Sequence, residues 1–424
     1  LADHPGQQDN KKPEGMPVTV LFDARDAAVI ADPYPALARL RAADPVHWDA
    51  RLGGWMLTRY EDIRRSLRDP RLSSDRMRPF FAHLPDDARN SLADLDAHMA
   101  LWAVFNDPPS HTRLRSLMNR AFTTSAIAAL RPTVATIVNG LVDDLLQQPE
   151  TDFIARFAYP LPATVIAVLL GVPLEDVGLL KRWSDDLGSF VLASRLSPDK
   201  YSRANAAIRE MNGYFGDLVE ARRRNPTEDV ASAMVAAQER GDFLSRDELV
   251  AACVLLLFAG HETTTHLMGN GLLALLRHPE QMQRLREGRG DEALVANAVE
   301  EMLRWDGPSL AQVRVLAGEY ELEGKVMRPG ERVFQMLAAA NRDPETFPEP
   351  DRFDISRADS GRHLTFGFGI HFCLGAPLAR LEGQVAFPIL LARLRDIALA
   401  APPDWSDSIV VRGLNALPVR CMAA

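Results

Sequence analysis

The stretch Phe366-Gly367-Phe368-Gly369-Ile370-His371-Phe372-Cys373-Leu374-Gly375 decides the reading of this chain, and the helical run Ala376-Pro377-Leu378-Ala379-Arg380-Leu381-Glu382 follows it directly. A cysteine just before a helix sits where unpaired backbone N–H groups and the positive end of the helix dipole stabilise a thiolate. A thiolate is a metal ligand. Gly369 and Gly375 remove side chains where backbone must approach a flat ligand closely, and Phe366 can pack beside the sulfur and exclude water. A lone cysteine in a Gly-rich turn is more often a buried structural residue, so the argument rests on the whole ten-residue pattern.

Upstream, Ser245-Arg246-Asp247-Glu248 reads as a capping box that opens a long helix, with Leu244 and Leu249 as its hydrophobic staple. The apolar period continues to Arg277-His278 and stops at Pro279, which cannot donate the next helical bond. At ~1.5 Å per residue such a helix is on the order of 50 Å long and crosses the whole protein. Inside it lies Ala259-Gly260-His261-Glu262-Thr263-Thr264. Thr263 can turn its hydroxyl onto a helical carbonyl, loosening the ladder and making room for ordered water, and Glu262 beside it can relay protons. By themselves these residues could equally form a plain polar face. Further on, Glu301-Met302-Leu303-Arg304 places a carboxylate and a guanidinium on one helix face. Taken alone that is usually a surface ion pair of little worth.

The 424 residues, 47% hydrophobic and 25% charged, suit a globular protein with a substantial core. No linker, repeat or low-complexity segment marks a boundary, so a single unit over 21–424 is expected, preceded by a polar, flexible tail over 1–20. Elsewhere helical spacing dominates, as in Ala36 to Leu40, Ile127 to Leu146 and Leu294 to Leu303. Hairpins are expected only around Gly53-Gly54 and Glu323-Gly324. The fold class is therefore mainly α with small β-sheets. A net charge of -9 argues against nucleic acid or an anionic membrane surface as a partner. Cys253, Cys373 and Cys421 are too few and too irregular for a disulfide framework or a zinc site, which fits a reducing, cytoplasmic compartment. The apolar stretch from Leu249 to Gly260 is shorter than the roughly 18 residues a membrane span needs, and the polar N-terminus lacks a signal-peptide core.

The cysteine stretch resembles the haem-binding signature of the cytochrome P450 family, and the Ala259–Thr264 segment resembles its oxygen-activation motif. The likeness extends from Asp32-Pro33-Tyr34 to Gly413-Leu414-Asn415-Ala416-Leu417-Pro418, in the expected order. It implies haem b held between the long central helix and the cysteine loop, with Cys373 as the iron ligand, a thiolate that favours O–O cleavage. Ala259 and Gly260 would then line the iron, Gly260 leaving room for dioxygen, and Glu262 and Thr263 would serve proton delivery. His111 and Arg115, in Asn106-Asp107-Pro108-Pro109-Ser110-His111-Thr112-Arg113-Leu114-Arg115, would hold the propionates with Arg314 and His371. Glu301 and Arg304 would be buried and joined by Arg352 from Pro350-Asp351-Arg352-Phe353, all three in structural roles.

The activity so implied is monooxygenation: one atom of O2 enters a small to medium, mainly apolar molecule by hydroxylation or epoxidation. By the same likeness the pocket would be walled by the Met77 to Trp102 loop with Phe80 and Phe81, by Phe190 to Leu196, and by Leu255, Ala259, Ser309, Leu310, Val313 and Leu414. No dinucleotide fingerprint or cluster-binding cysteine run is visible, so electrons are expected from a ferredoxin or flavodoxin with its reductase. Arg113, Arg120 and Arg362 are candidate cations for that docking face, or ordinary solvated arginines. A peroxygenase or an isomerase would have no use for the Glu262–Thr263 pair, and neither would a haem sensor without turnover.

Overall fold

The computed structural model describes residues 22–423 except 149, 192–198 and 240–244. The expected tail over 1–20, the staple residue Leu244 and the expected pocket residues 192–196 lie outside the described residues. Eight helices position the site: α1 (Met77–Ala82), α2 (Ser110–Ala121), α3 (Pro160–Leu170), α4 (Val177–Val191), α5 (Lys200–Arg224), α6 (Arg246–Arg277), α7 (Glu292–Asp306) and α8 (Ala376–Arg393). Helix accounts for 59% of the structure, as the apolar spacing predicts.

Helix α6 begins as the sequence dictates. Ser245 Oγ accepts the Glu248 N–H while the Glu248 carboxylate accepts the Ser245 N–H, and the helix runs 32 residues to a cap at His278. Every residue from Leu249 to Phe258 is buried, and α3, α5, α7 and α8 pack around the helix. It is longer than its apolar stretch suggests and passes the length and composition test for a membrane span, as does Thr124–Leu146. In α6, 78% of the apolar window is covered by the rest of the chain, so its apolar surface is the centre of the fold. One continuous core extends from Met77 on α1 to Cys421 near the C-terminus.

The strands are short. β1 (Val46–Asp49) and β2 (Gly54–Leu57) form the first expected hairpin, and with β3 (Leu72–Ser73) they belong to a five-stranded sheet. After β4 (Glu150–Asp152) come β5 (Gln312–Leu316), β6 (Tyr320–Leu322), β7 (Lys325–Met327) and β8 (Arg332–Gln335), and the large sheet has the order β1-β2-β8-β5-β3. β6 and β7 are the second expected hairpin, turning through Glu323 and Gly324 in left-handed conformation. A polar residue followed by glycine makes such a two-residue turn because the second position has no Cβ to clash. The antiparallel pairing of β3 with β5 brings the segment after Ser73 alongside Arg314, which organises one wall of the site.

Candidate active site

Cys373 stands between a 3-10 turn (Gly369–His371) and the first turn of α8. Its N–H donates to the Phe366 carbonyl at 2.9 Å, closing the loop into a fixed hairpin-like turn. Burial pushes the Cys373 thiol up, while the N–H groups of Gly375 and Ala376 and the charges of Arg115 and Arg380 pull it down. Burial wins. The helix start and the two guanidiniums thus moderate a sulfur that needs a cation at its face to hold full negative charge. Phe366 is covered on one side by the Arg380 guanidinium, 4.7 Å from its ring centre, and Arg380 is itself fixed by Glu300 at 2.6 and 2.9 Å.

The two glycines of this loop play different parts, and Gly369 departs from the expectation. Gly369 has φ +78°, and a Cβ there would meet the Leu67 carbonyl and the Arg68 side chain at 3.2 Å. Its missing side chain serves the loop's packing on the end of the helix Tyr60–Ser66, not approach to a ligand. A Cβ on Gly375 would lie 3.9 Å from the Cys373 sulfur with no other neighbour, so this glycine keeps the space beside the sulfur open.

Four expected donors converge above the loop. His111 is 4% exposed and neither ring nitrogen has a hydrogen-bond partner. Its ring centre lies 4.2 Å from that of His371, whose Nε2 shares a 2.9 Å hydrogen bond with the Ser74 hydroxyl. Arg314 is buried and bonded to the Val313 carbonyl and the Gln312 side chain, each at 3.2 Å, and burial lowers it to about 10. Arg115 donates to the Phe372 carbonyl at 2.6 Å. Burial and the neighbouring Arg314 push His371 down to about 3, and burial also lowers His111, so both rings are neutral at pH 7. A buried histidine with two idle nitrogens beside two guanidiniums without an ion pair is costly unless an anion joins them. The cluster fits a group with carboxylates at its edge, as the haem propionates are.

On α6, Ala259 is exposed although residues 249–258 are all buried, so this face of the helix opens onto a chamber. Thr263, one turn on, bonds its hydroxyl to the Ala259 carbonyl at 3.2 Å, and Thr264 and Thr265 repeat the pattern onto Gly260 and His261. The helix nevertheless runs through without a break, so the back-bonds do not unwind it. Gly260 does not face the chamber: a Cβ there would lie 2.9 Å from the Ile166 side chain of α3. Its role is close packing of α3 on α6, a correction to the space expected for dioxygen.

Glu262 lies 3.7 Å from His261 Nε2 and 3.6 Å from His266 Nε2. Burial works to raise its carboxyl, but the hydrogen bond and charge of His266, with His261 and Lys181 behind, hold it at about 2. It carries no proton at neutral pH and can act only by passing one on.

Glu301 and Arg304 are fully buried, paired at 2.6 and 2.8 Å. The third member of the triad is Arg357, whose Nε reaches Glu301 at 3.2 Å, and not Arg352. Arg352 points outward, 58% exposed, towards Glu349 and Asp354, and contributes only its carbonyl, which accepts from Arg304 and Arg357. The two arginines are five positions apart, and the side chain of Arg357 is the one that the Pro350–Arg357 turn folds inward.

Among the expected pocket residues, Phe80 and the fully buried Phe81 of α1 stack edge-on at 5.1 Å, and Phe190 of α4 lies 5.8 Å from Phe80. Tyr201 of α5, which the sequence reading missed, stacks on Phe80 at 6.1 Å and completes this aromatic group. Leu255, Leu310 and Val313 are nearly buried, at 8%, 7% and 9%. Leu414 does not belong with them. It sits 3.6 Å from where a Cβ of Gly269 would be, ten residues beyond Ala259, and is 1% exposed, so it is core. The C-terminal loop instead places Val411 beside Ser309 and Leu310.

At the cysteine-side surface, Arg113 is taken by Glu248 of the α6 capping box. The Arg120 side chain lies outside the described residues. Arg64 and Arg68 stack on Phe368 at 4.7 and 4.2 Å, and Arg64 and the exposed Arg362 share a surface hollow with Phe368 and the exposed Phe372.

The family model that matches, over residues 80–399, is described as Cytochrome P450. Vitamin D(3) 25-hydroxylase of Pseudonocardia autotrophica is 45% identical over 92% of this chain and 93% of its own. The cytochrome P450 monooxygenase PikC of Streptomyces venezuelae is 43% identical over 92% and 91%. Among solved structures, P450BioI in complex with acyl carrier protein ligated to hexadec-9Z-enoic acid superposes with a TM-score of 0.85 at 35% identity, covering 93% of this chain and 100% of that one.

Proposed function

Because the chain belongs to the cytochrome P450 family, we propose that Cys373 ligates the iron of its haem and that His111, Arg115, Arg314 and His371 hold the propionates. The protein is a haem-thiolate monooxygenase that uses haem b and electrons from a redox partner to insert an oxygen atom into small to medium organic molecules. When bound, the thiolate-ligated haem supplies the activation of dioxygen. What carries the assignment is the buried His111, with both nitrogens idle among Arg115, Arg314 and His371.

The chain's own residues then divide the work. The Gly375 and Ala376 N–H groups stabilise charge on the sulfur. Thr263, anchored on the Ala259 carbonyl, presents its hydroxyl to the chamber. Glu262, ionised and flanked by His261 and His266, passes protons inward along α6. Phe80, Phe81, Phe190 and Tyr201 exclude water and favour an apolar substrate, taken as the target of hydroxylation or epoxidation. The redox partner is read as a small acidic ferredoxin or flavodoxin that meets the Arg64, Arg68 and Arg362 face. Residues 22–423 act as one haem-binding unit. A cytoplasmic location keeps the three free cysteines reduced.

The test is the absorption spectrum of dithionite-reduced protein with carbon monoxide. A strongly red-shifted Soret band is expected. A band typical of histidine-ligated haem, or no haem, would remove Cys373 as ligand.

A further inference from the structure

We infer that Arg76, which no signature motif marks, is a further carboxylate ligand of the haem seat and pairs with a propionate beside Arg314. The inference rests on the haem reading above. Arg76 lies two residues beyond Ser74, whose hydroxyl holds His371, on the segment that β3 lays against β5. Its Nη1 reaches the Val313 carbonyl at 3.4 Å, and Arg314 Nη1 reaches the same oxygen at 3.2 Å. Two guanidiniums thus meet at one carbonyl. Arg314 lowers the tendency of Arg76 to stay charged, and among the described residues neither forms an ion pair.

The other contact of Arg76 is the face of Phe105, 4.8 Å away, which uses none of its N–H donors. The residue is half-buried, and its remaining N–H donors have no protein partner among the described residues. A guanidinium has five donors in a planar fork suited to a carboxylate, and leaving most of them idle in a low-dielectric site is unfavourable.

Charge balance points the same way. Arg76, Arg115 and Arg314 bring three guanidiniums to this corner. The carboxylate that acts on Arg314 is Asp107, already bonded to the Ser73 hydroxyl and the Ser74 N–H. Three guanidiniums set against one carboxylate that is already bonded leave donors free for further carboxylates, as the propionates are.

The experiment compares wild-type holoprotein with Arg76→Met and Arg76→Lys, measuring haem transfer to excess apomyoglobin and the reduction potential without substrate. Arg76→Met is expected to speed haem transfer by about tenfold or more, the worth of one charge-assisted hydrogen bond. It should also lower the reduction potential, because a cation near the macrocycle favours the reduced form. Arg76→Lys, keeping the charge, should hold the potential near wild type. Unchanged transfer and potential in Arg76→Met, with a red-shifted carbon monoxide band in the wild type, overturn this inference and leave the haem assignment standing. A wild type without that band overturns the haem assignment itself. A third arm titrates myristate and the corresponding alcohol by spin-state shift. If Arg76→Met weakens only myristate and leaves haem transfer unchanged, the carboxylate belongs to a substrate and the propionate assignment fails.

Discussion

Thr263 and Arg357 illustrate what single residues decide. The Thr263 hydroxyl is already satisfied by the Ala259 carbonyl and needs no other structural partner, so its removal should leave the fold intact. Thr263→Ala is expected to raise electron consumption per product formed, with near-normal haem content; unchanged coupling would take the residue out of proton delivery. Arg357 is the opposite case. It is 9% exposed and completes a fully buried carboxylate with Arg304, whereas Arg352 is 58% exposed. Removing one partner of a buried pair costs about 3–5 kcal/mol, and an exposed one costs less than about 1 kcal/mol. Urea denaturation of Arg357→Ala and Arg352→Ala should show this contrast, with loss of haem incorporation only in the first. Equal effects would contradict the triad described here.

At the scale of elements, the crossing of α3 over α6 is set by Gly260. Its Cβ position is 2.9 Å from Ile166, so the two helices approach as closely as they do because no side chain stands between them. Gly260→Val is expected to cost about 1–3 kcal/mol by overpacking. Ile166→Ala in the same protein should recover much of that loss. A glycine that only kept space open above the iron would show no such coupling. The melting temperatures of the two single variants and the double variant decide between the two roles.

For the whole molecule, charge sets both the acid limit and the docking face. Burial tends to raise Glu262 and Glu300, but His266 for the first and Arg380 with His363 for the second hold both at about 2 against an ordinary 4.5. Depressed carboxylates stabilise the fold fully above about 4.5 and lose that contribution as pH falls towards about 2. The loss is on the order of 2–3 kcal/mol for each group. Denaturation midpoints between pH 6 and pH 3 should therefore fall steeply, and Glu300→Gln should be less stable at pH 6 with a flatter profile. On the surface, Arg64 and Arg68 stack on Phe368 beside the cysteine loop. Reversing both charges is expected to slow reduction by an acidic partner by about tenfold at low salt and much less at high salt. A rate indifferent to salt would exclude this face.

The sequence by itself determined the cysteine turn, the capped central helix, both hairpins and the Glu301–Arg304 pair, because each follows from residues within a few positions of one another. Local rules of capping, turn conformation and helical spacing act over that range. Only the tertiary structure decided which arginine completes the triad, which way Gly260 faces, that Leu414 is core, that Val411 lies beside Ser309, and that Tyr201 joins the aromatic group. It also decided that Arg76 meets Arg314 at one carbonyl oxygen. Those pairings join segments 56 to 237 residues apart or depend on the inward or outward turn of one side chain, and packing rather than spacing fixes them.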